Sequence, residues 1–91
     1  MPGLDEMKLI LEREGLEPVV ESIGPDQKVA DHKHPFAEIR MIVEGEMIFS
    51  VAGNQMLLRP GDRIEVPSNT RHSHHAQGKT SCRCLVAQRV F

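Results

Sequence analysis

From Gly15 onward the chain meets a turn former every few residues. Gly24-Pro25-Asp26, Pro35, Gly45, Gly53-Asn54, Pro60-Gly61, Pro67-Ser68-Asn69 and Gly78-Lys79 divide it at spacings of roughly 8–12 residues. Helices of ordinary length do not fit between such breaks, but short strands do. The segments they leave are 18–23, 28–34, 38–43, 46–51, 55–58, 63–66, 72–77 and 81–90. Most carry β-branched or alternating apolar residues, as with Ile64 and Val66 on one face of their segment. Eight short strands predict an all-β sandwich or small barrel. Gly53-Asn54 reads as a two-residue hairpin turn.

The segment before Gly15 differs. Leu4, Met7, Ile10 and Leu11 recur at helical spacing, Asp5 and Glu6 sit where the helix dipole favours acids, and Gly15 is a natural stop. A helix over 4–14 follows. It is too short to stand alone and must bury Leu4, Met7 and Leu11 against something. The expected organisation is one domain over 1–91, with a helical segment at 1–15 and a barrel at 16–91.

A chain of 91 residues buries only about 60–65% of its unfolded surface, so a metal or a partner subunit would help to stabilise it. The formal charge of −2 and the absence of Trp and Tyr argue against nucleic acid as partner, which calls for a basic face or a stacking platform. No apolar run is long enough to span a bilayer, so no membrane association is expected. The acidic start MPGLDEMKLILEREG lacks the features of a secretory signal, which makes the cytoplasm the expected compartment. Cys82 and Cys84 would share one face of one strand, poor geometry for a disulfide, and a reducing compartment suits them.

All five histidines fall in two short clusters, His32 with His34 and His72 with His74 and His75. His32 and His34 are two apart, so on a strand both imidazoles point to the same side. Glu38 follows after Pro35-Phe36-Ala37, enough chain to turn a corner into the next strand. Imidazoles from both clusters plus this carboxylate suit one borderline divalent ion: Fe, Mn, Ni, Zn, Co or Cu. Calcium and magnesium, which want oxygen shells, suit it poorly. Spacing alone does not choose between His72 and His74 as the third imidazole.

The run His32-Lys33-His34-Pro35-Phe36-Ala37-Glu38, then six residues and Gly45, resembles the first cupin motif. Gly61, five residues, Pro67-Ser68-Asn69, two residues and His72 resemble the second. The interval 46–60 between them is the short spacer of small single-domain cupins. Asn69 stands where that motif usually has glycine, and Ala76 where it usually has asparagine. Asn also tolerates a left-handed φ. The resemblance implies a double-stranded β-helix, or jelly-roll, barrel with His32, His34, Glu38 and His72 as metal ligands. The alternative is a set of histidines without metal, including a degenerate cupin with no ion.

Arg40 should share the inward face with Glu38, and a buried Arg is rare unless paired. Glu38-Ile39-Arg40 is similar to the Glu-Ile-Arg run of acireductone dioxygenases, where the Arg is a candidate for binding substrate. Either Arg40 holds an anionic oxygen of a substrate, or it pairs with a nearby carboxylate such as Glu46 or Glu65. His74 should also point inward, as a general base, a group that orients a ligand, or a fifth nitrogen near the metal; otherwise it is a solvent-exposed rim residue. Arg40 and His74 are the candidate catalytic residues. His75 points the other way and takes no role. Phe36 walls the pocket or, more commonly for such a residue, fills a corner of the core. Cys84 reads best as a small buried hydrophobe. Met41, Met47, Met56, Phe49 and Leu57 place apolar groups on both strand parities, so some cover the outside of the sheet. This suggests a dimer face, and a homodimer is expected.

The function that follows is a metal-binding cupin, most simply a metal-dependent enzyme of dioxygenase type acting on a small oxygen-rich or anionic molecule. An isomerase or lyase using the same ion, or a binding and sensing module without turnover, are the alternatives.

Overall fold

The computed structural model describes residues 3–89. Helix α1 (Leu4–Arg13) leads into eight strands: β1 (Val19–Ile23), β2 (Lys28–His32), β3 (Ala37–Glu44), β4 (Glu46–Val51), β5 (Asn54–Leu58), β6 (Arg63–Val66), β7 (His72–Gln77) and β8 (Cys82–Arg89). They form two four-stranded antiparallel sheets in the orders β1-β8-β3-β6 and β2-β7-β4-β5. Sequence neighbours β1 and β2 lie in different sheets, as do β3 and β4, which is the jelly-roll arrangement expected from the turn spacing. The expected end of the last strand, Val90, lies outside the described residues. No helix among the described residues is long and apolar enough to cross a membrane.

Alternation decides what each sheet buries. Between the sheets lie Ile23, Ile42, Met47, Phe49, Leu58, Val66, Ala76, Cys82 and Cys84, with Ile64 packed beside them. Strand β3 is covered on both faces. Its other parity, Ile39 and Met41, joins Leu85 and Ala87 of β8 beneath α1, which contributes Met7 and Leu11. Burying those two helix side chains is worth about 2 kcal/mol each. Met41 is thus covered by the chain's own helix, not by a partner subunit. Met47 and Phe49 are interior, leaving Met56 as the exposed methionine of the group considered for a dimer face. Ile10, placed with the buried stripe on periodicity, is 42% exposed because it falls on the flank of the helix, away from Met7 and Leu11.

The helix ends where Gly15 takes φ +83°, and the Leu16 amide returns to the Leu11 carbonyl at 3.2 Å. The hairpin turn is displaced by one residue from its expected place. Val51 pairs with Asn54, and the two turn residues are Ala52 and Gly53, both with positive φ (50° and 86°). This is the type I′ pattern that matches strand twist. Register against β7 carries β4 through Val51, so Asn54 is drawn into the ladder. Gly45 has φ +81°, and a Cβ there would stand 2.5 Å from the Ser81 carbonyl oxygen, so no other residue fits the β3–β4 corner.

Candidate metal centre

The site is assembled from both histidine clusters by a single strand pairing. His32, the last residue of β2, sits opposite His72, the first of β7. His34 follows just beyond β2, where the chain turns at Pro35. Its carbonyl accepts the Asn69 amide at 2.7 Å, which ties the corner after β2 to the loop before β7. Asn69 holds φ +57°, the left-handed conformation that explains why Asn can replace the expected glycine.

One ring nitrogen of each of His32, His34 and His72 lies within 4.8 Å of the other two. Their second nitrogens are all engaged in the same way. His32 Nδ1 donates to the Ala30 carbonyl at 2.7 Å, His34 Nδ1 to Phe36 at 2.9 Å and His72 Nδ1 to Thr70 at 2.9 Å. A carbonyl only accepts, so each Nδ1 carries the proton and each Nε2 keeps its lone pair in the neutral ring. The Nε2 atoms of His34 and His72 are buried without a hydrogen-bond partner among the described residues, a costly state for a polar atom. Glu38 Oε2 stands 3.3 Å from His34 Nε2. Two electron-pair donors at that distance repel unless a proton or a metal cation lies between them. The donor set and its unmet lone pairs therefore fit a divalent transition ion, and three histidines of this chain could hold one. Glu38 borders the histidine triangle and is not part of it.

Arg40 is 5% exposed and paired, but with neither of the carboxylates suggested by sequence. Its Nε donates to Glu38 Oε1 at 2.7 Å and its Nη1 to Glu21 Oε1 at 3.0 Å and to Cys84 Sγ at 3.4 Å. Glu46 instead meets Arg59, and Glu65 meets Arg89. Both lie on outward-facing positions that an inward Arg40 cannot reach. Burial weakens the charge of Arg40 more than any single neighbour supports it, but Glu38, Cys84 and Glu21 together hold its pKa above the ordinary value.

His74 is no rim residue. It is 2% exposed, and neither ring nitrogen has a hydrogen-bond partner among the described residues. Burial first, then the nearby Arg40 charge, pushes its pKa down to about 3, so the ring is neutral. His74 lies outside the histidine triangle: His72 converges with His32 and His34, and His74 does not. Phe49 runs parallel to both rings, at 5.2 Å from His74 and 5.8 Å from His72. Phe36 stacks on His34 at 4.1 Å and is only half-buried, so it walls the histidine and does not fill the core. Two residues at the site escaped the sequence reading, Phe49 and Glu21. Glu21 had a legible signal, because it shares strand parity with the inward Ile23.

A family model described as a cupin domain matches residues 19–88. The chain belongs to the cupin family. This cupin is 42% identical over 66 residues to an acireductone dioxygenase of Bacillus licheniformis, covering 67% of this chain and 35% of the relative. It is 40% identical over 58 residues to a quercetin 2,3-dioxygenase of Bacillus subtilis, covering 62% and 17%. The chain therefore spans about a third or less of the length of these relatives. Among solved structures, a predicted oxalate decarboxylase of Thermotoga maritima superposes with a TM-score of 0.76 at 24% identity, covering 92% of this cupin and 74% of that chain, which supports the fold. A surface hollow of about 440 Å³, lined by Gly15, Glu17, Val19, Val86, Ala87 and Gln88, contains none of these site residues.

Proposed function

We propose that this cupin is a metal-dependent enzyme of dioxygenase type acting on a small oxygen-rich or anionic molecule. The observation that carries the reading is the convergence of His32, His34 and His72, each with its Nδ1 already bonded to a carbonyl. In this reading the three Nε2 atoms and Glu38 Oε2 hold one divalent transition ion. Such an ion would supply Lewis acidity or electron exchange with dioxygen. Arg40 provides the positive charge that an enolate or carboxylate oxygen of the substrate meets. His74, neutral and unpartnered, offers one donor and one acceptor to the same substrate. Phe49 and Phe36 hold the imidazoles in place and keep water from their faces. The likeness to the two dioxygenases supports this reaction type.

A homodimer belongs to the same reading. Val19 and Val20 are 63% and 49% exposed on the edge strand β1, and Leu9 is 46% exposed on the helix, surface that a second copy would cover. Light scattering tests this, and a monomer at high concentration argues against it.

The test of function is oxygen uptake by the iron-loaded protein with a panel of enediols, diketones and flavonols. Uptake that disappears in His34→Ala supports the enzyme. Tight binding of one of these compounds without uptake replaces it with a binding module, and conversion without oxygen replaces it with an isomerase or lyase.

A further inference from the structure

Two carboxylates share the Arg40 guanidinium, and they are held very differently. Glu38 is 7% exposed and held inside the barrel by Arg40 Nε at 2.7 Å. Glu21 meets Nη1 at 3.0 Å, but its side chain is 39% exposed and springs from the edge strand β1. Moving a buried carboxylate away from its charged partner is costly. A carboxylate with a large exposed fraction can trade its partner for water at little cost.

Glu21 also stands at an opening. A cleft of about 320 Å³ separates β1 from β2, lined by Glu21, Ser22, Ile23, Gln27, Lys28 and Val29. Lys28 is exposed there and adds a positive charge that favours anions. On the inner side of Glu21, His74 Nε2 lies 3.9 Å from Glu21 Oε1, too long for a hydrogen bond. This ring is 2% exposed, and among the described residues neither nitrogen has a hydrogen-bond partner. Buried polar groups left in this state mark a place where a further group completes the set.

We propose that the Glu21 carboxylate is an exchangeable occupant of the ligand's anionic subsite. A ligand carboxylate or enolate oxygen enters through the β1–β2 cleft, displaces Glu21 from Arg40 Nη1, and lies beside His74, which supplies the hydrogen bond that Glu21 is too far away to receive. Glu21 then turns to solvent. The ligand class that follows carries at least one negative charge, because a neutral carbonyl forms too weak a bond with a guanidinium to displace a carboxylate from it. The inference deepens the reading of Arg40 and His74 as ligand-contacting groups and requires no bound metal.

The probe is sodium acetate, titrated into chelator-treated protein at constant ionic strength and followed by amide NMR. Glu21→Gln removes the competing charge and keeps the shape of the side chain. This variant is expected to bind acetate at least about tenfold more tightly than the native chain, the worth of one charge-assisted hydrogen bond, with shifts at Cys84 and His74. Acetamide, neutral and of the same shape, is expected to bind neither protein. Equal acetate affinity in the two proteins, shifts confined to residues remote from Arg40, or equal binding of acetamide each overturn the proposal. Zinc titration of the same samples separates the two readings. Failure to bind zinc with the acetate result intact removes the metal centre alone, whereas a large change of zinc affinity in Glu21→Gln would place Glu21 in the ion site and overturn its role as an anion stand-in.

Discussion

The backbone amide of Asn69 donates to the carbonyl of His34 at 2.7 Å and so joins the two motifs that contribute the histidines. The bond requires Asn69 to hold φ +57°, a conformation that Asn and Gly accept and β-branched residues resist. Asn69→Gly is expected to stay within about 0.5 kcal/mol of the native stability, and Asn69→Val to lose about 1–2 kcal/mol. Denaturant melts of the two variants check this. If Val were tolerated as well as Gly, the backbone conformation would not be what holds the loop.

His72 and His74 are two residues apart on the same inward face of β7, but only His72 reaches the other two imidazoles. His72→Ala is expected to weaken zinc or cobalt binding by at least about 100-fold, since even losing a group that only orients a ligand costs 10–100-fold. His74→Ala should change it only a few-fold. For the native protein, metal at 100 times its dissociation constant adds about 2.7 kcal/mol, a rise of about 10–20 °C in Tm for a chain of this size. Calorimetric titration and melting with and without chelator read both effects. Equal losses in the two variants would contradict the geometry.

The architecture was legible because turn formers and strand parity are local signals. Gly45 and Asn69 stand where the chain must adopt positive φ, and the parity of Glu38, Arg40, His72 and His74 placed all four inside. Parity places Glu38 and Glu21 on the inward face with Arg40, but the pairing of Arg40 with Glu21 was not legible. Glu21 reaches it through the lateral order β1-β8-β3, a sheet neighbourhood that no spacing in sequence reveals. The turn at Ala52 was misplaced by one residue because Gly53-Asn54 carries the stronger local preference, while the pairing of β4 with β7 sets the register. Ile10 looked buried because a stripe of four apolar positions is wider than the contact that one short helix makes with two strands.

The helix is fastened at its far end by charge. Arg63 of β6 donates Nη2 to Glu14 Oε1 at 2.6 Å, and Arg89 adds a contact at 3.7 Å. The Arg63 hydrogen bond outweighs the opposing effect of desolvation and holds the Glu14 carboxyl below the ordinary carboxylate range. A lowered carboxylate pKa stabilises the fold above the unfolded value, and this stability is lost as pH falls through the folded one. Native protein should therefore exceed Glu14→Gln in Tm at neutral pH, with the gap closing as the pH falls below about 4.5. A gap that stays constant down to pH 2 would show that the pair does not couple to folding.

Both cysteines are free and fully buried. Burial pushes the Cys82 thiol up to about 11, with the neighbouring Cys84 adding to the shift, and raises Cys84 as well. The thiolate is the reactive form. In native protein at pH 8 both thiols should resist a disulfide reagent for as long as the fold holds, and both should react at once in denaturant. Fast labelling of one thiol in the native state would place it at an opening of the barrel.

Ala52 is the remaining place where sequence and backbone disagree. It holds φ +50° in the type I′ turn between β4 and β5 with Gly53 beside it at φ +86°. An L-residue with a methyl side chain is strained there by roughly 1 kcal/mol, whereas Asn at the first turn position is the residue most often found ahead of Gly. Ala52 is exposed and makes no core contact, so the substitution removes strain without opening a cavity. Ala52→Asn is expected to raise stability by about 0.5–1 kcal/mol, or roughly 2–8 °C in Tm, and to leave metal binding unchanged. A neutral or destabilising result in thermal melts would mean that the β4–β5 register, and with it the placement of Val51 opposite His72, differs from the one described.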